Sequence, residues 1–151
     1  MAAPLTLTRD QILAYRRRVQ ALDRRLPAGA DSLRTAAQAG LQDSMPRAAL
    51  LSIHARVEGT GPSTWEDPAL VQLWGPRYSA YVVAAHDIGI FTVGRLGEDP
   101  RARVLPEQLA ERLRTVLRGR RMKDADAGLS TGEHPNRLRY ATVTGSVLIR
   151  W

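Results

Sequence analysis

The sequence contains no cysteine, which excludes disulfides and thiolate metal sites. Histidine is scarce: His54, His86 and His134 stand apart, with no HxxxH or HxH spacing, so no zinc or other metal site is expected. Lys123 is the single lysine among 22 basic residues; the rest are arginine. No apolar run approaches the ~20 residues that a membrane-spanning helix needs, so no membrane partner is expected. Met1-Ala2-Ala3-Pro4-Leu5 lacks the charged and then apolar segments of an export signal. These absences lead us to expect a soluble cytoplasmic protein without a cofactor, associated with the nucleoid if it binds DNA.

What is abundant is positive charge. The 151 residues carry 22 Lys and Arg against 15 Asp and Glu, a net charge of +7, with an isoelectric point near 10.9. An excess of this kind points to a nucleic acid or another acidic partner. Arginine suits that role because its guanidinium grips phosphate and guanine with two hydrogen bonds, where lysine offers a point charge. A GC-rich genome would also favour arginine over lysine, but it does not account for the excess charge. With 44% hydrophobic residues the chain can form a core, and its length suits one ordinary domain or two small ones.

Periodicity places the elements. Thr8-Arg9-Asp10-Gln11 reads as a capping box. Ile12, Tyr15, Val19, Leu22 and Leu26 then form one apolar stripe of a helix that ends before Pro27. Asp31-Ser32 opens a second helix over about 32–39, with Leu33, Ala36, Ala37 and Ala39 inward and Gly40 as its stop. A polar triplet, Gln42-Asp43-Ser44, follows as a turn. A third helix is expected over about 45–57, with Pro46 in its first turn and His54 facing the core. Residues 70–74 and 79–83 read as strands around Gly75-Pro76-Arg77-Tyr78, a hairpin with a basic tip.

A short helix opens at His86-Asp87, and Glu98-Asp99-Pro100 reads as a linker. Pro106 is expected to start a helix with a basic exit, Arg118, Arg120 and Arg121. A short helix over about 122–129 and a last helix from Pro135, carrying Asn136, Arg137 and Arg139, lead to a strand over 147–151. Three helices followed by a hairpin is the order of a winged helix. The fold class expected is therefore mainly α with small β-hairpin wings, a tandem winged helix. The first unit spans 1–97, and a second, truncated unit spans 98–151. A lone last strand would leave its edge bare, so either the chain is a piece of a longer protein, the reading we favour, or that strand pairs elsewhere in the fold.

Gly40-Leu41-Gln42-Asp43-Ser44-Met45-Pro46-Arg47-Ala48-Ala49-Leu50 resembles the signature of the AlkZ-like winged-helix DNA glycosylase family. That family's pattern is roughly G-L-Q-x-Q-x-P-R-A-A-L. Gln42, Pro46, Arg47, Ala48 and Ala49 match; Ser44 stands where a second Gln or an Asp would fall. A later stretch, Leu70-Val71 through Trp74, Arg77, Val83 and Asp87, is similar to the family's first wing, with Tyr81 where a histidine is usual. The resemblance covers most of residues 5–151. It implies DNA as partner and continuation beyond Trp151 in a full-length relative. It also implies a catalytic element at Gln42, Asp43 and Ser44. With Ser44 and Tyr81 departing from the pattern, duplex DNA binding is the leading expectation, and removal of alkylated or crosslinked bases is the alternative.

The chemistry of the triplet is limited. A glutamine is no base near neutral pH, but it can orient a water and offer its carbonyl oxygen to developing positive charge. Asp43 is an acceptor and a potential base. Ser44 is also suited to cap the helix that follows, and Asp43 to sit at its positive end. For DNA contact the expected residues are Arg47, Arg77, Arg118, Arg120, Arg121, Asn136, Arg137 and Arg139. Of these, Asn136 and the two arginines beside it could read base edges. Each could equally be a solvated surface residue. The oligomeric state is not readable from the sequence.

Overall fold

The computed structural model describes residues 5–45, 47–97 and 100–150. The expectations that rest on Pro46, on Glu98-Asp99 and on Trp151 lie outside the described residues. The architecture is mainly α with one small three-stranded antiparallel sheet. No described helix is long and apolar enough to cross a membrane.

Helix α1, Arg9–Val19, begins with the expected capping box: Gln11 N–H donates to Thr8 Oγ1 at 3.2 Å, and Thr8 N–H donates to Gln11 Oε1 at 2.9 Å. It stops well short of Pro27, because Ala21 takes a left-handed φ of 51° and the chain turns. None of its residues is buried; Ile12, Tyr15, Val19 and Leu22 are 43% to 66% exposed. The stripe faces solvent. Leu26 then leaves the helical register and forms a parallel bridge to Val57. Helix α2, Ala30–Ala37, starts earlier than its Asp31-Ser32 signal suggests, with Gly29 at the N-cap. It buries Leu33, Ala36 and Ala37, whereas Ala39 is exposed and Gly40 ends the segment at φ +73°.

The expected polar turn begins as a strand. Leu41–Gln42 form β1, followed by α3 (Ala48–His54), β2 (Leu70–Trp74) and β3 (Ala80–Ala84). The sheet order is β1-β3-β2, with Gln42 opposite Tyr81 and Leu73 also opposite Tyr81. The hairpin lies where it was expected, except that β3 is displaced by one residue from 79–83. Helix α3 is shorter than expected and rotated: Ala49 and Ile53 are buried, but Leu51 and His54 are exposed. His54 Nδ1 lies 3.0 Å from the Thr60 carbonyl, so the ring is bonded at the surface and not packed inside. The first core gathers Leu33, Ala37, Ala49, Ile53, Val57 and Val82, with Trp65 packed against it.

Helix α4 is one turn, Ile88–Phe91. Helix α5, Pro100–Leu117, starts before Pro106, which lies inside it. The expected linker residue Pro100 is thus helical, at a first-turn position where a missing N–H costs nothing. Leu109, Ala110 and Leu113 of α5 form a second core with Ala127 of α6 (Asp124–Thr131) and Ala141. Helix α7, Pro135–Leu138, is a single turn that tightens into a 3-10 segment, Arg139–Thr144.

The strand expected over 147–151 is reduced to one antiparallel bridge, Ile149 to Gln72 of β2. The end of the described chain therefore pairs with the first sheet. Thr142 Oγ1 reaches the Trp74 carbonyl at 3.5 Å, and the Tyr78 and Tyr140 rings meet edge-on at 4.9 Å. Arg150 donates to the Trp65 carbonyl and pairs with Glu66 at 2.9 Å.

Candidate functional site

The Gln42-Asp43-Ser44 corner is built by β1. Residues alternate along it: Leu41 is half-buried, Gln42 exposed, Asp43 fully buried at 0% and Ser44 exposed. Strand alternation thus turns Gln42 and Ser44 to one face and Asp43 to the other. Gln42 Nε2 donates to Ser44 Oγ at 2.9 Å. Asp43 Oδ1 accepts the Ala49 N–H at 3.0 Å, and its Oδ2 accepts Gln72 Nε2 at 2.8 Å. Asp43 N–H donates to the Ala80 carbonyl at 2.7 Å.

The capping role expected of Ser44 belongs to Asp43. Ala49 is in the first turn of α3, and its N–H is one of the donors a helix leaves open. The N-cap position is Arg47, in a left-handed conformation (φ 65°) and without a side-chain cap of its own. Asp43 reaches across the turn to fill that gap. Ser44 is held by Gln42 instead.

Tyr81 lies on β3, directly opposite Gln42 of β1. Its ring closes over two glycines. A Cβ on Gly75 would lie 2.5 Å from Tyr81 Cδ2, and one on Gly40 would lie 3.3 Å from Cδ1 and 2.8 Å from Phe91 Cε1. The side chain in the family's histidine position is therefore a packed ring beside the corner.

The candidate DNA-contacting residues other than Arg137 fall into two sets. Arg47, Arg77 and Arg118 are exposed, and each sits at a positive φ: 65°, 57° and 48°. Among the described residues, none offers these three a side-chain hydrogen bond or ion pair. Arg77 is at the hairpin tip, and Arg118 ends α5. The second set lies along one cleft: Arg120, Arg121, Asn136 and Arg139. Arg120 and Asn136 are exposed there. Arg121 pairs with Glu66 at 3.7 Å.

Two members of the expected recognition helix are engaged inside the protein. Arg137 pairs with Glu133 at 3.2 Å. Arg139 stacks over Tyr78 at 5.5 Å and Tyr140 at 5.7 Å. The Glu133 carboxyl is held below its usual range chiefly by the hydrogen bond from Arg112 at 2.7 Å, with Arg137 adding to the effect and desolvation opposing it. Arg95 also lies 5.5 Å from the Tyr78 ring, and burial lowers its pKa. Sequence reasoning did not identify Gln72 or Tyr78 as site residues. Each acts through a contact with a distant part of the chain, which spacing does not reveal.

Comparison with known proteins gives a structural likeness. The chain is similar to the Streptomyces sahachiroi DNA glycosylase AlkZ, with a TM-score of 0.61 and 16% sequence identity. The match covers 94% of this chain and 44% of that protein, so the chain spans less than half of its length. At this identity the likeness is one of fold. No protein-family model matches the sequence, and no curated protein does.

Proposed function

We propose that the chain is a double-stranded DNA-binding module of tandem winged helices, a first unit over 1–97 and a second over 98–151. It grips the duplex mainly through arginine–phosphate contacts. The observation that carries this reading is the state of Arg47, Arg77 and Arg118. All three are exposed, unpaired among the described residues and set on left-handed backbone that L residues adopt only at a cost of about 1–2 kcal/mol. At these turns the side chains project outward, where phosphate oxygens can be reached. Arg120 and Arg121 extend the positive run after α5, and Asn136 adds an exposed amide beside it. Arg137, already engaged, serves this reading by holding the second unit in shape, and Arg139 by stacking on Tyr78 of the first. The fold shared with a DNA glycosylase agrees with a DNA partner. Duplex affinity measured against salt, with and without these arginines, tests the proposal.

A second reading is favoured by that same likeness and by the exposed Gln42–Ser44 pair: hydrolysis of the N-glycosidic bond of alkylated or crosslinked bases. In it, Gln42 would orient the water and stabilise the developing oxocarbenium charge. Asp43, with both carboxylate oxygens occupied and no exposure, would act as the anchor of the corner and not as its base. Abasic sites formed on alkylated DNA by the intact protein, and lost in Gln42→Ala, would establish this reading. Their absence removes it and leaves DNA binding untouched.

A further inference from the structure

Between β2 and the α5–α7 segment lies a cleft of about 700 Å³. That is within the size range of sites that hold small organic ligands, about 300–1,000 Å³. Val71, Leu117, Leu148 and Ile149 give it an apolar wall. Leu148 is 41% exposed there. Arg120, Lys123, Arg139 and Arg150 also line the cleft, and Asp124 is the one carboxylate among its lining residues. Gln72 lines it too, but its amide is already given to Asp43.

One of those cations is open to a ligand. The Arg139 guanidinium makes no hydrogen bond or ion pair with the described residues, and its Nη groups, unlike its Nε, are not buried. Arg150 is already committed to Glu66 and the Trp65 carbonyl. An anion that meets the outer edge of Arg139 would add charge-assisted hydrogen bonds. Both guanidinium groups are also fixed. Arg139 is stacked on Tyr78 and Tyr140, and Arg150 is tied to Glu66 and stacked 5.8 Å from the Trp65 ring. Fixed donors above an apolar wall bind without first having to be ordered.

We propose that this cleft binds a flat organic anion, an aromatic body carrying one phosphate, carboxylate or sulfonate. The body lies on the apolar wall, and the anionic group meets the guanidinium edge. Such chemistry is offered both by a free aromatic acid or nucleotide and by an unpaired nucleotide within a strand. The cleft shares Arg120, Arg121 and Asn136 with the proposed duplex surface but not Arg47, Arg77 and Arg118, so loss of duplex binding in variants of those three leaves this proposal standing.

The test is a fluorescence titration of the intact chain with 8-anilinonaphthalene-1-sulfonate. One saturable site is expected, and neutral N-phenyl-1-naphthylamine should bind about tenfold more weakly or worse. Leu148→Glu and the pair Arg120→Glu with Lys123→Glu should each weaken the sulfonate about tenfold. All of these are surface changes, so an unchanged melting temperature confirms that the variants are folded. Tyr15→Glu, on the solvent-facing stripe of α1, should leave binding as it was. Equal binding of the charged and neutral probes, or a signal lost with Tyr15→Glu and kept in Leu148→Glu, would overturn the proposal. Displacement by naphthalene-2-carboxylate or deoxyadenosine monophosphate assigns the cleft to free anions. Displacement by a short single-stranded oligothymidylate alone assigns it to a nucleotide in a strand. Displacement by none of these contradicts the proposal.

Discussion

Gln72 on β2 donates its amide to Asp43 at 2.8 Å, across 29 positions of sequence and in the protein interior. The same carboxylate accepts the Ala49 N–H at the start of α3. One side chain therefore ties the strand before α3, the helix itself and the hairpin into one corner. Gln42 and Ser44 are presented to solvent because Asp43 is held within.

Asp43→Ala should accordingly be costly. It leaves a buried amide and a helix-terminal N–H without an acceptor, at about 1–3 kcal/mol each. Asp43→Asn keeps one acceptor and should lose about half as much. Urea unfolding of the two variants checks both the sign and the order. A neutral outcome for Asp43→Ala would mean that the corner is held by something else.

Gly75 should not tolerate a side chain. Its φ of −87° is open to any residue, so the constraint is the Tyr81 ring, 2.5 Å from where a Cβ would sit. Gly75→Ala is expected to cost about 1–3 kcal/mol, the usual range for overpacking. Pairing it with Tyr81→Ala should recover part of that loss in a double-mutant cycle. Additive losses would place the strain elsewhere.

Glu133 predicts an acid-dependent contribution to stability. Its carboxyl is held below the usual range by Arg112 first and Arg137 next. A depressed folded-state pKa means stability that is fully present above the unfolded carboxylate value and lost as pH falls through the folded one. Glu133→Gln should therefore be less stable than the parent at pH 7. The two should converge as the pH is lowered below the ordinary carboxylate range. Thermal melts at several pH values would show it, and a constant gap at all pH values would contradict it.

The left-handed arginines should separate stability from binding. At Arg47, Arg77 and Arg118, replacement by Gly relieves strained backbone, so stability should hold or rise by up to about 1 kcal/mol. The same change at Arg114, an exposed position inside α5, should lower stability by about 1 kcal/mol. Calorimetry distinguishes these outcomes.

Much of the fold is legible where local chemistry decides it. The Thr8/Gln11 box, the β-rich apolar runs around Gly75-Pro76 and the Pro135 start all signal locally. The strand Leu41–Gln42 is not legible, because two residues are too few to show a period, and a polar triplet after Gly40 reads as a turn. The solvent-facing stripe of α1 shows that amphipathic spacing predicts a helix but not what covers it. At the site, residue type alone marks Arg47, Arg77 and Arg118 as candidate surface cations, and all three are exposed. Their unusual backbone and the engagement of Arg137 and Arg139 depend on tertiary structure that no spacing encodes. Asp43 stands out for its chemistry, yet its partners lie in α3 and, 29 positions away, in β2.

The central claim is that exposed, unpaired arginines bind duplex phosphates, and the slope of log affinity against log salt measures it most directly. For the parent chain the account predicts a steep fall. For Arg47→Gly combined with Arg77→Gly and Arg118→Gly it predicts a slope shallower by about 0.9 for each phosphate no longer neutralised. A parent affinity independent of salt, or a triple variant with the parent's slope, would contradict it.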